Sequence, residues 1–185
     1  LSDKQIAILI AVFSFFLVLF HNATIFSGAK NISQEKQEKT KAADYFENLN
    51  LEAKAAYVLD ASKDKPIFEM NANTRLPLAS LTKLMTAIVA LENFSPNPDT
   101  LSIMLVSSSN EAAAVIASTS DNFISLMNKK AEEIGMAQTS FYNPTGLDVS
   151  FESAGAYGSA RDVAKLMEYF VKNYPKVAEV TRYES

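Results

Sequence analysis

The longest apolar pattern lies near the start of the chain, where residues 6–20 are almost entirely apolar and a looser apolar stretch continues to residue 26. Crossing a bilayer takes about 20 apolar residues, whereas about 15 suit the core of a signal peptide. The small residues at 27–29 would also suit cleavage by a signal peptidase. Residues 1–29 are therefore predicted to be either a signal peptide or a retained membrane anchor, which exports the rest of the chain.

The next segment is polar and precedes the first predicted strands. Residues 30–45 mix charges without apolar periodicity, so we expect a solvated linker there. Two short apolar runs follow at 55–60 and 66–70, and the polar residues 61–65 separate them. This pattern predicts a β-hairpin with a long turn.

Helical periodicity dominates the chain after residue 80. In three segments, apolar residues recur every three or four positions, which is typical of amphipathic helices. The turn-rich sequence FYNPTGLD at 141–148 joins the second helix to the third. The first predicted helix runs from Leu81 to a stop at residues 95–98. The second runs from a cap at Ser120 to Gly135, and the third runs from a capping box of Ser159 and Asp162 to Pro175.

Composition restricts the partners of the chain. Its 185 residues suit one domain beyond the N-terminal segment, and 48% apolar with 21% charged residues is typical of folded proteins. Seventeen basic and 21 acidic residues give a net charge of −4. The chain lacks the concentrated positive charge that phosphate backbones require, so we expect no nucleic-acid partner.

The scarcity of two residue types restricts the chemistry. The chain has no cysteine, and its one histidine, His21, lies in or beside the N-terminal apolar run. A thiolate nucleophile, a Ser-His-Asp triad in the folded domain and a multi-histidine metal site are therefore excluded. No cofactor or metal is implied. A nucleophilic serine would need another base, and lysine in a Ser-x-x-Lys pattern is the most plausible one.

One of four Ser-x-x-Lys matches has a suitable context. Ser80 opens an amphipathic helix, and Lys83 follows one turn later on a neighbouring position of the same face. An ordinary lysine has a pKa of about 10.4, and lowering it by three units costs about 4 kcal/mol. Because Lys83 lies at the edge of the apolar stripe, a second lobe must cover it. The pattern alone leaves open that Ser80 is a helix cap and Lys83 a solvated side chain. The other matches lie in the linker or the hairpin turn: Ser27/Lys30, Ser33/Lys36 and Ser62/Lys65.

A Ser-x-Asn pair could relay a proton and hold a substrate amide, and it occurs three times. Ser108/Asn110 is a polar interruption between two apolar stretches, which favours a functional role. The other two matches have local explanations. Ser95/Asn97 lies where the first helix is predicted to end, and Ser120/Asn122 lies at the predicted cap of the second helix.

From about Glu52 to its C-terminus, the chain closely resembles the low-molecular-mass penicillin-binding proteins, the serine D-alanyl-D-alanine carboxypeptidases. The segment AKAAYVLDASKDKPIFEMNANTRLPLASLTKLMTA resembles the first strands and nucleophile helix of that family, and SSSNEAA resembles its second motif. MNKKAEEIGMAQTSFYNPTGLD and SARDVAKLM are similar to its later landmarks. Several landmarks in the correct order are far more specific than any single motif.

The resemblance implies an α/β fold of the penicillin-binding-protein and β-lactamase type, with an antiparallel sheet begun by the hairpin and a helical lobe carrying Ser108 and Asn110. It implies that Ser80 attacks the carbonyl between the two terminal D-alanines of a peptidoglycan stem peptide while Lys83 accepts its proton. Ser108 would pass a proton to the leaving amine, and Asn110 would hold the substrate amide. β-Lactams, which mimic the dipeptide, would acylate the same serine.

The chain departs from the family pattern in two places. The third motif, Lys-Thr-Gly or Lys-Ser-Gly on a core strand, is absent, and Pro144-Thr145-Gly146 is not a substitute because its first residue carries no cation. Only 24 residues separate Lys83 from Ser108, so residues 99–108 resemble two family segments joined without their middle. Either segments of the whole protein are missing, which we favour, or the chain is a degenerate homologue. The departures leave open whether a chain with this sequence is catalytically active.

The sequence therefore predicts a signal peptide or anchor at 1–29, a linker at 30–45 and a serine D,D-peptidase domain at 46–185 that lacks its C-terminal part. We expect it at the extracytoplasmic face of the membrane or in the periplasm. A D,D-endopeptidase and a non-catalytic wall-binding scaffold are the alternatives. A class A β-lactamase is disfavoured because no Glu-x-x-Leu-Asn sequence follows the second motif.

Overall fold

The computed structural model of the chain describes residues 46, 49 and 51–182. The apolar run at 6–26 and the linker at 30–45 lie outside these residues, so their predicted roles stay predictions. Within the described part, no helix combines the length and the apolar character that a membrane span requires.

The predicted hairpin is confirmed. Strand β1 (Ala56–Asp60) pairs antiparallel with β2 (Lys65–Met70), and the register shifts between Val58 and Leu59. The turn is closed by Asp60, whose Oδ1 accepts hydrogen bonds from the Ser62 amide at 3.0 Å and the Ser62 hydroxyl at 2.6 Å. The side chains of Ala56 and Val58 are buried, which gives the hairpin an inner face against the helices.

A second sheet is built from strands too short to give a sequence pattern. Strands β3 (Leu76–Pro77), β4 (Ser140–Phe141) and β5 (Ala156–Gly158) form it antiparallel in the order β3–β5–β4. Just after β3, the Leu78 amide donates to the Ala156 carbonyl at 3.0 Å. This sheet therefore fixes the chain immediately before the 3₁₀ turn Ala79–Leu81, which contains Ser80.

The helices pack around α1 (Thr82–Asn93), which contacts the four that follow it: α2 (Pro98–Val106), α3 (Asn110–Ala117), α4 (Phe123–Glu133) and α5 (Ala160–Asn173). Its residues Met85, Ala87, Ile88 and Ala90 have no exposed surface. A helix buried on most of its sides cannot shift without disturbing its neighbours. A short helix, α6 (Pro175–Val180), follows α5.

The three predicted helices are present as α1, α4 and α5, and one predicted cap is wrong. Ser120 does not cap α4: its hydroxyl donates to Asn122 Oδ1, its carbonyl accepts from the Phe123 amide at 3.2 Å, and the helix begins only at Phe123. Ser159 does cap α5, because its hydroxyl oxygen accepts from the Asp162 amide at 3.1 Å. The serine and asparagine of a Ser-x-Asn sequence can thus hydrogen-bond each other instead of the free backbone amides at the start of the helix.

The two prolines expected to end helices also begin the next ones. Pro98 and Pro175 occupy the first turns of α2 and α6, where a missing amide hydrogen is tolerated. Asn97 caps α2 by accepting hydrogen bonds from the amides of Asp99 at 2.9 Å and Thr100 at 3.0 Å. The junction predicted near Asp99 therefore lies inside a regular, capped helix.

Two polar side chains, one of them buried and the other half-buried, hold the segment that leads into the FYNPTGLD loop. Asp162 in α5, with 2% of its surface exposed, accepts from the Gln138 amide at 2.7 Å and the Thr139 hydroxyl at 2.9 Å. Asn128 in α4 donates to the Phe141 carbonyl at 2.8 Å and accepts from its amide at 2.9 Å. Strand β4 is thereby tied to two helices.

Replacing Asn128 with alanine should lower the free energy of unfolding by about 2 kcal/mol, because both backbone groups of the buried Phe141 lose their partner. Chemical denaturation of the purified full chain measures this change. Lys129→Ala is the matched control, since Lys129 is exposed and, within the described part of the chain, its ion pair is one at 3.8 Å with Glu133. The control should change stability by less than about 0.5 kcal/mol. Equal losses in the two variants would contradict the assignment.

Candidate active site

Ser80 and Lys83 lie next to each other at the start of α1. Lys83 Nζ donates to Ser80 Oγ at 3.1 Å, and Ser80 itself is exposed. The 3₁₀ turn that carries Ser80 begins at Ala79, whose φ of +46° lies in the left-handed region. This turn brings the hydroxyl over the first residues of the helix, within reach of the amine.

The FYNPTGLD loop covers Lys83, so the predicted cover is a loop rather than a separate lobe. The Thr145 carbonyl accepts a second hydrogen bond from Lys83 Nζ at 3.1 Å. One residue earlier, the Pro144 carbonyl accepts from the Thr86 hydroxyl at 2.7 Å. Two backbone oxygens of the loop are thus bound to side chains of α1. The sequence did not predict these contacts, which join residues about 60 positions apart.

Lys83 is buried without an acidic partner. Only 3% of its surface is exposed, and no carboxylate lies within ion-pair distance of its amine in the part of the chain that the structure describes. Burial lowers the pKa of the Lys83 ammonium, because the charged form loses hydration that no anion replaces. The neutral amine, which is the form able to accept a proton, is thereby favoured.

The loop is held in one shape by Asn143. Its Oδ1 accepts hydrogen bonds from the Thr145 amide at 3.1 Å, the Thr145 hydroxyl at 3.0 Å and the Gly146 amide at 2.7 Å. Its Nδ2 donates to the Leu147 carbonyl at 2.8 Å. Gly146 has a φ of +78°, and a Cβ there would lie 1.8 Å from the Ala79 carbonyl oxygen. Only glycine therefore lets the loop lie directly on the backbone beside Ser80.

The second predicted pair lies at the junction of α2 and α3. Ser108 is exposed between α2 and α3 with a φ of +57°, and Asn110 is the half-buried first residue of α3. Within residues 51–182, no hydrogen bond joins either side chain to Ser80 or Lys83. The neighbouring Ser109 caps α3 by accepting from the Ala112 amide at 3.1 Å. The roles of Ser108 and Asn110 thus stay predictions.

The competing matches that fall in the described part have local roles. Ser62 belongs to the exposed hairpin turn, where its hydroxyl bonds Asp60. Asn97 caps α2, and Ser120 bonds Asn122. Among the described residues, no group of three or more His, Cys, Asp or Glu side chains lies together in a way that could hold a metal ion.

Sequence comparison places the chain among known proteins. The profile of the D-alanyl-D-alanine carboxypeptidase family matches residues 37–98 and 95–185, and so covers more than half of the chain. The two matches meet beside the junction that the sequence predicts near Asp99, which stays a prediction.

Individual relatives agree with this match. The D-alanyl-D-alanine carboxypeptidase DacF of Bacillus subtilis is 28% identical over 166 residues, which cover 70% of this chain and 41% of the relative. A D-alanyl-D-alanine endopeptidase of Escherichia coli is 31% identical over 176 residues, covering 77% of this chain and 55% of the relative. The chain thus spans about half the length of these relatives.

The fold is also that of solved structures. Penicillin-binding protein D2 from Listeria monocytogenes, crystallised in its ampicillin-bound form, superposes with a TM-score of 0.67 and 30% sequence identity. The match covers 74% of this chain and 68% of that structure. The expected α/β fold of the penicillin-binding-protein type, with antiparallel sheets and a helical lobe, is therefore confirmed for the described residues.

Replacing Gly146 with alanine should destabilise the chain by several kcal/mol, because it adds a backbone clash beside Ser80 to the cost of a left-handed conformation. Gly135→Ala is the matched control, since Gly135 also has a positive φ, of +73°, but the nearest heavy atom to its Cβ would be Lys165 Nζ at 3.6 Å. The control should lose only about 1–2 kcal/mol. Chemical denaturation of both variants tests this, and similar losses would show that the loop does not press on Ala79.

Proposed function

Because the chain belongs to the D-alanyl-D-alanine carboxypeptidase family, we propose that it forms part of a serine-type carboxypeptidase that trims peptidoglycan stem peptides ending in D-Ala-D-Ala. One observation carries the proposal: an exposed hydroxyl lies 3.1 Å from a buried amine that has no anionic partner among the described residues. A serine with such a neighbour has a base within reach although the folded domain contains no histidine.

In the proposed reaction, Ser80 Oγ attacks the carbonyl between the two D-alanines and its proton passes to Lys83 Nζ. The new C–O bond gives a tetrahedral oxyanion, which the backbone amide of Ser80 helps to stabilise in the first helical turn. The C–N bond then breaks, and the proton moves from Lys83 through Ser108 to the leaving amine of D-alanine. Asn110 holds the substrate amide.

Hydrolysis completes the cycle. Water adds to the acyl-serine ester while Lys83 accepts its proton, and collapse returns a proton to Ser80 Oγ and releases the shortened peptide as an acid. The Thr145 carbonyl supports both steps by holding the amine in place. β-Lactams would acylate Ser80 by the first half of this route. Support comes from the relative of known structure, which was crystallised with ampicillin bound.

A D,D-endopeptidase acting on cross-linked peptides is the second candidate. Three relatives with that name are 31%, 29% and 30% identical to this chain, whereas two relatives named as carboxypeptidases are 28% and 26% identical. Ser80 and Lys83 would perform the same chemistry on either bond, so substrate length distinguishes the two activities. We further propose that residues 6–26 export the domain to the extracytoplasmic face of the membrane or to the periplasm.

Labelled penicillin should form a covalent adduct with the purified full chain, and intact-mass spectrometry with peptide mapping should locate it on Ser80. Ser80→Ala should abolish the adduct because the attacking oxygen is removed. Ser62→Ala is the matched control, since Ser62 and Lys65 have the same spacing in an exposed turn. It should leave labelling unchanged.

The absence of an adduct on a chain with native circular dichroism would contradict the proposed reaction. It would favour the non-catalytic wall-binding alternative, which immobilised peptidoglycan would then detect. An adduct on Ser62 would show that spacing alone, without burial of the lysine, is sufficient.

The rate of acylation should rise with pH and level off at an apparent pKa below 10.5, because burial lowers the pKa of Lys83 and only its neutral form accepts the serine proton. Lys83→Arg should slow acylation by about 10²–10⁴-fold near neutral pH, since a guanidinium stays protonated. Time courses of labelling from pH 6 to 10 measure both effects. A flat profile, or wild-type rates in the arginine variant, would remove Lys83 from the mechanism.

A further inference from the structure

Two threonines of α1 lie under the FYNPTGLD loop, and the proposed reaction uses neither. Thr82 and Thr86 are four residues apart, which places them on the same face of the helix, and neither has exposed surface. Thr82 lies against Gly146, because a Cβ added to that glycine would lie 2.6 Å from the Thr82 hydroxyl. Thr86 contacts Pro144, two residues earlier in the loop. Two buried hydroxyls therefore face the loop that covers Lys83.

The two hydroxyls differ in their hydrogen bonds. The Thr86 hydroxyl donates to the Pro144 carbonyl at 2.7 Å, whereas its distance to the Thr82 carbonyl, one turn earlier, is 3.5 Å. A hydroxyl has one hydrogen to donate, so the shorter contact is the stronger bond. The Thr82 hydroxyl has no hydrogen-bond partner among the described residues. Of these two buried side chains, Thr86 is therefore the one whose hydroxyl binds the loop.

The Thr86 bond joins the loop to the helix next to the carbonyl that binds the amine. Pro144 and Thr145 share a planar peptide unit, so fixing the Pro144 carbonyl also fixes the direction in which Thr145 begins. The amide of the same unit donates to Asn143 Oδ1 at 3.1 Å. Asn143 belongs to the loop, whereas Thr86 belongs to α1. Asn143 therefore sets the shape of the loop, and the bond from Thr86 sets where this peptide unit lies relative to the helix.

The position of the loop matters because no charge compensates the amine beneath it. Burial lowers the pKa of Lys83, and no charged side chain of the described residues contributes to that shift. If the loop moved away from α1, water would reach the amine and favour its charged form. The ionisable side chains on the surrounding elements are exposed or bonded to other groups, and they include Glu92, Asp99, Glu111, Lys130, Asp148 and Asp162.

We propose that Thr86 is a positioning residue of the site: its hydroxyl holds the loop against α1 and thereby keeps the Thr145 carbonyl on the Lys83 amine and water away from it. The proposal rests on the proposed function for the use of that amine as a base. It predicts that loss of the Thr86 hydroxyl changes the protonation of Lys83, an effect that loss of packing alone would not produce.

The test reads the protonation of Lys83 directly, without turnover. The full chain is prepared with lysine enriched in carbon-13 at Cε, and the Lys83 signal is identified by its absence in Lys83→Arg. NMR spectra over a pH series give the pKa of the amine. In Thr86→Val this pKa should rise toward the ordinary lysine value of 10.5, because the Pro144 carbonyl loses its donor and water reaches the amine. Thr86→Ser keeps a hydroxyl and should restore the lowered pKa.

Thr82→Val is the matched control. It removes an equally buried hydroxyl from the same face of α1, but one that holds no partner among the described residues. The Lys83 pKa should therefore stay as it is in the parent chain. Acylation by labelled penicillin provides a second measurement. Near neutral pH it should slow about threefold to tenfold in Thr86→Val, because the neutral fraction of the amine falls as its pKa rises, and it should not slow in Thr82→Val.

A parent-like Lys83 pKa in a folded Thr86→Val chain would overturn the positioning role, and so would an equal rise in Thr82→Val. If Thr86→Val does not fold, Thr86→Cys replaces it, since a thiol is a weaker donor. Its Lys83 pKa should lie above that of Thr86→Ser, and equal values would overturn the proposal. A parent chain that takes up no penicillin but shows the expected order of Lys83 pKa values would support the positioning role while contradicting the proposed reaction, so the two failures are distinguishable.

Discussion

The described structure depends most on the burial of one amine. The charged form of Lys83 is stabilised by water. The fold buries this ammonium and, among the described residues, places no carboxylate within ion-pair distance of it. Two neutral oxygens, the Ser80 hydroxyl and the Thr145 carbonyl, take the place of that anion. A carboxylate would stabilise the ammonium and raise its pKa, whereas neutral oxygens satisfy the amine's hydrogen bonds without restoring its charge. These partners therefore leave the pKa of the Lys83 amine lowered beside Ser80.

Keeping that amine covered requires support from distant parts of the chain. Asp162 and Asn128, on α5 and α4, fix the residues before the loop, and Asn143 fixes the loop itself. Gly146 then allows the loop to lie against Ala79. Each contact uses backbone groups, so the position of the Thr145 carbonyl follows from the main-chain path. Part of the cost lies near the site: Ala79 has a left-handed φ, and the buried hydroxyl of Thr82 has no partner among the described residues.

Periodicity predicted the hairpin and the helices α1, α4 and α5 because each has one face directed to a core for at least five residues. It could not predict β3, β4 and β5, which have only two or three residues each. The cap at Ser120 failed because Asn122, two residues later, competes for the same hydroxyl. Ser80 and Lys83 were predictable because their contact is local. The Thr145 carbonyl was not, since any residue supplies a carbonyl and only the path of the chain brings this one to the amine.

The two motifs differ in what positions them. The described groups that hydrogen-bond the Lys83 amine lie on the 3₁₀ turn and on the loop that α4 and α5 support. Ser108 and Asn110 are positioned instead by α2 and by the start of α3. Only 24 residues, which include the rest of α1 and all of α2, separate Lys83 from Ser108. The family profile also divides at 95–98, where the chain leaves α1. A change in length there would move Ser108 while leaving the 3.1 Å contact of Lys83 with Ser80 intact. The contact of Lys83 with Ser80 and the position of Ser108 therefore depend on different parts of the chain.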